Sequence, residues 1–309
     1  MKKIPSLTFP FSLVQFSYWI GCCGILGYAV VYLQTLGFDN FTLGIVIALG
    51  NVLAALLGPA LASYLDRHPA MPTARMNYPV FGAELLLAAV LLLHAEKDLF
   101  TASVYTLLIG VSVAANSVNM RFCADAVNAE MSLDFGIARG IGSFGYILPT
   151  VGLGILFRKV SPTTLPWALL LFILMQFAAN AYIGSRLKDR VSRRESEERE
   201  KGDPLPVFLK SEPRFALMLL GIVLIFFCYE TYAKFTINVV RNAGGDTGTM
   251  GLLTGFTAVI EIPTLLCYWL LRKRWKSSSL LKVSFIFFSM KSAIALFCIT
   301  PRTSLYNSV

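Results

Sequence analysis

The sequence predicts an all-α polytopic membrane protein, and three observations carry that prediction. Apolar residues fill 56% of the 309 positions and charged residues only 15%, whereas soluble domains run near half apolar and about a quarter charged. Mean hydropathy is +0.65. Apolar runs long enough to cross a bilayer, roughly 20 residues as a helix, recur along the chain. None alternates with the strict period of two that a membrane barrel requires.

Taken in order, the runs cover about 11–36, 41–65, 78–95, 99–120, 141–157, 164–185, 214–240, 249–271 and 280–300, within roughly 2–4 residues at each end. They predict about nine transmembrane helices. The first is too long for a signal-peptide core and lacks a small-residue cleavage site, so it counts as a helix. The fifth begins beside GIGSFG, residues 140–145. This literal G-x-G-x-x-G follows no strand and runs into a membrane span, so it reads as small-residue helix packing rather than a nucleotide loop. After the sixth comes the long polar segment 186–214, RLKDRVSRRESEEREKGDPLPVFLKSEPR. Its mixed charges and three prolines mark a linker. The expected organisation is therefore a six-helix bundle over 1–185, a charged cytoplasmic linker over 186–213 and a three-helix partial bundle over 214–309. Two bundles of repeated halves is a layout used by secondary transporters.

The net charge of +9 is a topological signal, not a nucleic-acid footprint. With the N-terminus in the cytoplasm, twenty basic residues fall on the inner side and five on the outer side, a positive-inside bias. The six cysteines fit neither a zinc ribbon nor a disulfide framework. His68 and His94 sit near helix ends without a metal-site pattern. No nucleophile–base–orienter set points to an enzyme, and no cofactor or metal is expected.

Ionisable residues inside the spans are the conspicuous exceptions. Glu230 and Lys234 interrupt FFCYETYAKFTINVV four residues apart, on one helical face. Glu261 lies in AVIEIP and Lys291 in FFSMKSAIA. Insertion scales put a mid-span Asp, Lys or Arg at roughly 2.5–3.5 kcal/mol, so these groups should pair or face a water-filled cavity. Glu84 stands near the start of its run, where a carboxyl can snorkel to the interface.

DFGIARGIGSFGY, residues 134–146, resembles the start of the fifth helix in the lactose permease branch of the major facilitator superfamily. Residues 44–66 resemble that superfamily's second helix and the start of its cytoplasmic loop motif. Gly44, Pro59, Asp66 and Arg67 are in register, and Ala62 replaces a usual glycine. The branch includes proton symporters of oligosaccharides, nucleosides and phenylpropionate. The resemblance implies that Arg139 binds substrate and pairs with Asp125, and that Asp66 and Arg67 belong to a gating loop. By position alone, Asp125 and Arg139 also fit as solvated charges at inner helix ends. Tyr146 takes the place of a tryptophan that stacks on sugar. Glu230 matches a seventh-helix carboxylate and Lys291 a ninth-helix arginine, while Glu261 lies about one turn beyond an eighth-helix carboxylate. Lys234 would serve as a local partner for Glu230.

What the resemblance implies is a monomeric plasma-membrane protein of twelve helices, C-terminally incomplete here because the chain ends at LYNSV where a tenth span should begin. Its partners would be the lipid bilayer and a small polar or anionic solute (a sugar, nucleoside or aromatic acid), with no nucleic acid. The solute would move by alternating access, with a proton as coupling ion. A truncated non-transporting membrane protein and a drug exporter are the alternatives.

Overall fold

The structure is a computed structural model that describes residues 6–68, 71–187, 210–276 and 278–290. These residues are overwhelmingly helical. The chain divides into two compact units, Met1–Glu195 with Gly245–Leu266, and Ser196–Gly244 with Cys267–Val309.

In the first unit the long helices are α1 (Thr8–Cys22), α3 (Asn40–Arg67), α4 (Thr73–Leu93), α5 (Leu99–Asn128), α6 (Phe135–Lys159) and α7 (Leu165–Leu187). The short α2 (Ala29–Thr35) follows α1 after one π-helical turn, Cys23–Gly27. Among the described residues of this unit, six segments are long and apolar enough to cross a membrane.

The same device starts four helices. Asp39, Asp98 and Asp134 each accept a hydrogen bond from the backbone N–H three residues on, at Thr42, Thr101 and Ile137. Asp246 does the same for Thr249. An aspartate here fills an orphan donor of the first turn and faces the positive end of the helix dipole. In DNFT, DLFT and DTGT the motif is visible in the sequence itself.

The unit is inside out relative to a soluble bundle. Leu56, Leu86, Trp167 and Leu171 are exposed on its outer faces. Asn77, Glu84, Asn119, Gln176 and Asn180 are buried within. That distribution suits a lipid solvent, which accepts apolar side chains and forces polar ones to find partners among the helices. Asn77 Nδ2 donates to both Asn119 and Asn180 at 3.0 Å, tying α4, α5 and α7 together.

The helix α1 packs on α6 and α7, α3 packs on α5, and α4 packs on α5 and α7. Glycines set the closest approaches. A Cβ on Gly142 would lie 2.8 Å from Trp19, and one on Gly145 would collide with the Phe16 carbonyl. The GIGSFG stretch thus lies wholly inside α6 and packs it against α1 through two of its three glycines; a Cβ on Gly140 would meet nothing within 4 Å.

Two spans are less regular than their hydropathy suggests. A π-helical turn follows α1, and its Ile25 carbonyl accepts from the Tyr105 hydroxyl at 2.9 Å. The stretch 214–240 is divided into helices Pro213–Lys234 and Thr236–Asn242. At the break the Thr236 hydroxyl bonds the Ala233 carbonyl at 3.1 Å, a local side-chain bond that competes with the helical ladder. The eighth stretch forms Thr247–Arg274. The ninth forms Ser278–Met290, and its remainder lies outside the described residues.

Candidate functional site

Two facing stripes meet between α1 and α6. On α6, Arg139, Ser143, Tyr146 and Thr150 succeed one another at helical spacing, and Gln15 and Trp19 of α1 do the same with Cys23 at the start of the π-helical turn. Gly142 and Gly145 remove the side chains that would hold these faces apart. The Arg139 guanidinium lies 4.2 Å from the centre of the Trp19 ring and donates to Ser143 Oγ at 3.3 Å. Trp19 Nε1 donates to Gln15 Oε1 at 3.2 Å. Tyr146 meets the Trp19 ring edge to face, with centroids 6.3 Å apart. One turn further, Cys23 Sγ sits 3.0 Å from Thr150 Oγ1.

Arg139, Trp19 and Tyr146 are each partly exposed, while Gln15 is buried with its Nε2 lacking a partner. A cation, an unfilled amide donor and two aromatic rings therefore share one corner. Such a corner offers charge and hydrogen bonds to hydroxyls or a carboxylate, and aromatic faces to a planar or sugar-like ring.

Among the described residues, the ion pairs do not include the expected one between Asp125 and Arg139. Asp125 is buried on α5 and faces Thr73 and Arg121. Arg121, four residues before it on the same helix, also bridges to Asp66 at the end of α3. Helical spacing gives Asp125 a nearer cation than the one on α6. Asp66 thus joins α3 to α5, while Arg67 beside it is exposed.

In the second unit, Glu230 and Lys234 form an ion pair of 3.2 Å in the last turn of Pro213–Lys234. Glu261 falls within Thr247–Arg274, in the part of that helix that belongs to the first unit. Lys291 lies outside the described residues.

Sequence reasoning missed Trp19 and Gln15, and it misplaced Glu84. A tryptophan in an apolar helix carries no signal of its own, although a glutamine one turn before it hints at a polar face. Glu84 does not snorkel. It stands midway along α4, fully buried, because the helix begins at Thr73 rather than at the apolar boundary near 78.

Helices with apolar outer faces and polar interiors define the class: a multi-pass α-helical membrane protein. A sequence model of the MFS_1 like family matches residues 10–302, and the chain belongs to that family of major facilitator transporters. No curated protein and no solved structure matches the chain.

Proposed function

We propose that the protein moves a small polar or anionic organic solute, of the sugar, nucleoside or aromatic-acid kind, by alternating access. The observation that carries this reading is the Arg139–Trp19 contact, with Tyr146 and the unfilled Gln15 amide beside it. A guanidinium fork suits a carboxylate or a pair of hydroxyls, and the rings suit a flat or sugar-like body. Asp125, Glu230, Lys234, Glu261 and Lys291 complete the proposed set of substrate-binding or coupling residues, and Asp66 and Arg67 the gating set.

Coupling to protons belongs to the same proposal, as does a plasma-membrane location with the N-terminus inside, supported by the positive-inside distribution. The division into a bundle over 1–185, a linker over 186–213 and a second bundle from 214 belongs to it as well. Vesicles containing the protein should accumulate labelled sugar, nucleoside or aromatic acid when an inward proton gradient is imposed. Uptake that ignores the gradient leaves facilitated transport and removes coupling. No uptake or exchange of any of the three classes would sink the solute assignment.

A further inference from the structure

The interior of the first unit holds a second polar centre, between α4, α5 and α7. Glu84 on α4 is fully buried. Its Oε2 accepts from Gln176 Nε2 of α7 at 3.3 Å, and Ser112 of α5 lies beside the same carboxyl. From α1 it is faced by Tyr18, whose other neighbours include Cys22 and Arg139. Among the described residues, no lysine, arginine or histidine forms an ion pair with Glu84.

Two oxygens of the acid–amide pair lack partners: Glu84 Oε1 and Gln176 Oε1. Both are acceptors while the carboxyl is ionised. A single proton on Glu84 Oε1 makes it a donor, and Gln176 Oε1 is then the unfilled acceptor on the very amide already bonded to it. A protonated Glu84 can offer that amide a second hydrogen bond; the ionised form keeps its donors from Ser112 and Gln176 but has no ion-pair partner among the described residues and only acceptors on the two remaining oxygens. Two helical turns along α4 and α5, the Asn77–Asn119–Asn180 cluster carries further unfilled positions at Asn77 Oδ1 and Asn119 Nδ2. Beyond it, the Thr73 hydroxyl lies against Asp125. A column of polar groups thus leads from the buried carboxyl to the end of the helices.

We propose that Glu84 and Gln176 form a proton-binding site inside the six-helix unit, with the proton on Glu84 Oε1 shared with Gln176 Oε1. The site is distinct from the Arg139–Trp19 corner. It could serve the coupling proposed above but does not require it, because its test uses no solute.

The test is infrared difference spectroscopy of the full chain in lipid vesicles, stepped in pH in ordinary and heavy water. The expected spectrum at neutral pH contains a protonated-carboxyl carbonyl band that shifts in heavy water. Glu84→Gln, which copies the shape of the neutral acid, should lose that band. Gln176→Leu should move it to higher frequency, because the carbonyl loses its amide donor. An unchanged band in a folded Glu84→Gln protein overturns the site. If that variant does not fold, Gln176→Leu decides alone, and an unshifted band there overturns the proposal. Loss of the band on adding sodium at fixed pH also overturns it, since the centre would then take an alkali cation instead.

Discussion

The Arg139 guanidinium lies 4.2 Å from the centre of the Trp19 ring, joining the first membrane helix to the fifth through a cation and an aromatic face. Such contacts are worth about 0.5–1 kcal/mol where exposed and about 2 kcal/mol where desolvated. Neither partner is fully buried, so the contact orients Arg139 more than it stabilises the bundle.

Arg139→Ala should therefore abolish solute binding while leaving the protein folded in the membrane. Arg139→Lys should restore little, because an ammonium lacks the planar fork. Trp19→Phe should retain more binding than Trp19→Ala, since phenylalanine keeps an aromatic face. Calorimetric titration with the solutes that vesicle uptake identifies would check this. Wild-type affinity in Arg139→Ala would reduce the residue to a helix-end charge.

The α1–α6 crossing predicts opposite effects for two neighbouring glycines. A Cβ on Gly145 meets the Phe16 backbone carbonyl, which cannot rotate away. Gly145→Ala should force the helices apart and cost about 1–3 kcal/mol. Gly140 has open space around its Cβ direction. Gly140→Ala should be neutral or stabilising by up to about 1 kcal/mol, from helix propensity alone. Thermal unfolding of the two purified variants tests the pair, and equal midpoints would contradict the crossing.

A pH-dependent clasp joins the end of α4 to the start of α5. His94 Nε2 and Asp98 Oδ2 lie 2.6 Å apart. The hydrogen bond to Asp98 raises His94 above its ordinary 6.5. Asp98 is held down to about 2, first by the Thr101 backbone N–H and then by His94. The histidine contribution is present below 6.5 and disappears as pH rises through the raised value. The aspartate contribution is present above 3.8 and disappears as pH falls toward about 2. The clasp should be complete between those ordinary values. A magnetic-resonance titration of labelled histidine should show Asp98→Asn bringing the His94 midpoint down toward 6.5. An unchanged His94 midpoint would exclude the clasp.

The membrane spans were legible because lipid selects on hydropathy over a long window, which averages out local detail. Their ends were less so. The run read as 78–95 is the helix Thr73–Leu93, and the difference is instructive. Asn77 looks like a boundary in a hydropathy scan, yet its amide is spent on Asn119 and Asn180 inside the bundle. Glu84 was misjudged for that reason, since a helix starting at 73 carries it to the middle. The Glu230–Lys234 contact could be read from i,i+4 spacing within one helix. Trp19 beside Arg139 could not, because no periodicity connects residues on different helices. Asp125 shows the same limit: its neighbours are Thr73 and Arg121, one turn away, and no spacing in the sequence could say which helix its side chain would meet.

The Glu230–Lys234 pair gives the last prediction. The two side chains are 3.2 Å apart, with Lys234 19% and Glu230 49% exposed at the protein surface. Where that surface meets lipid, neutralising one partner leaves the other charge without compensation. Breaking a buried pair costs on the order of 3–5 kcal/mol, so Glu230→Gln and Lys234→Met should each lower the amount of protein in the membrane. The double variant should recover, because no charge is then stranded. Quantitative blotting of membrane fractions reads all three, and uptake assays on the recovered double variant separate stability from function: an abundant but inactive protein assigns Glu230 or Lys234 a part in transport. Additive losses in the double variant would mean that each charge answers to a different partner. Unchanged abundance in every variant would mean that both side chains face water, and the pair would then be a solvated contact of the kind worth about 0–1 kcal/mol.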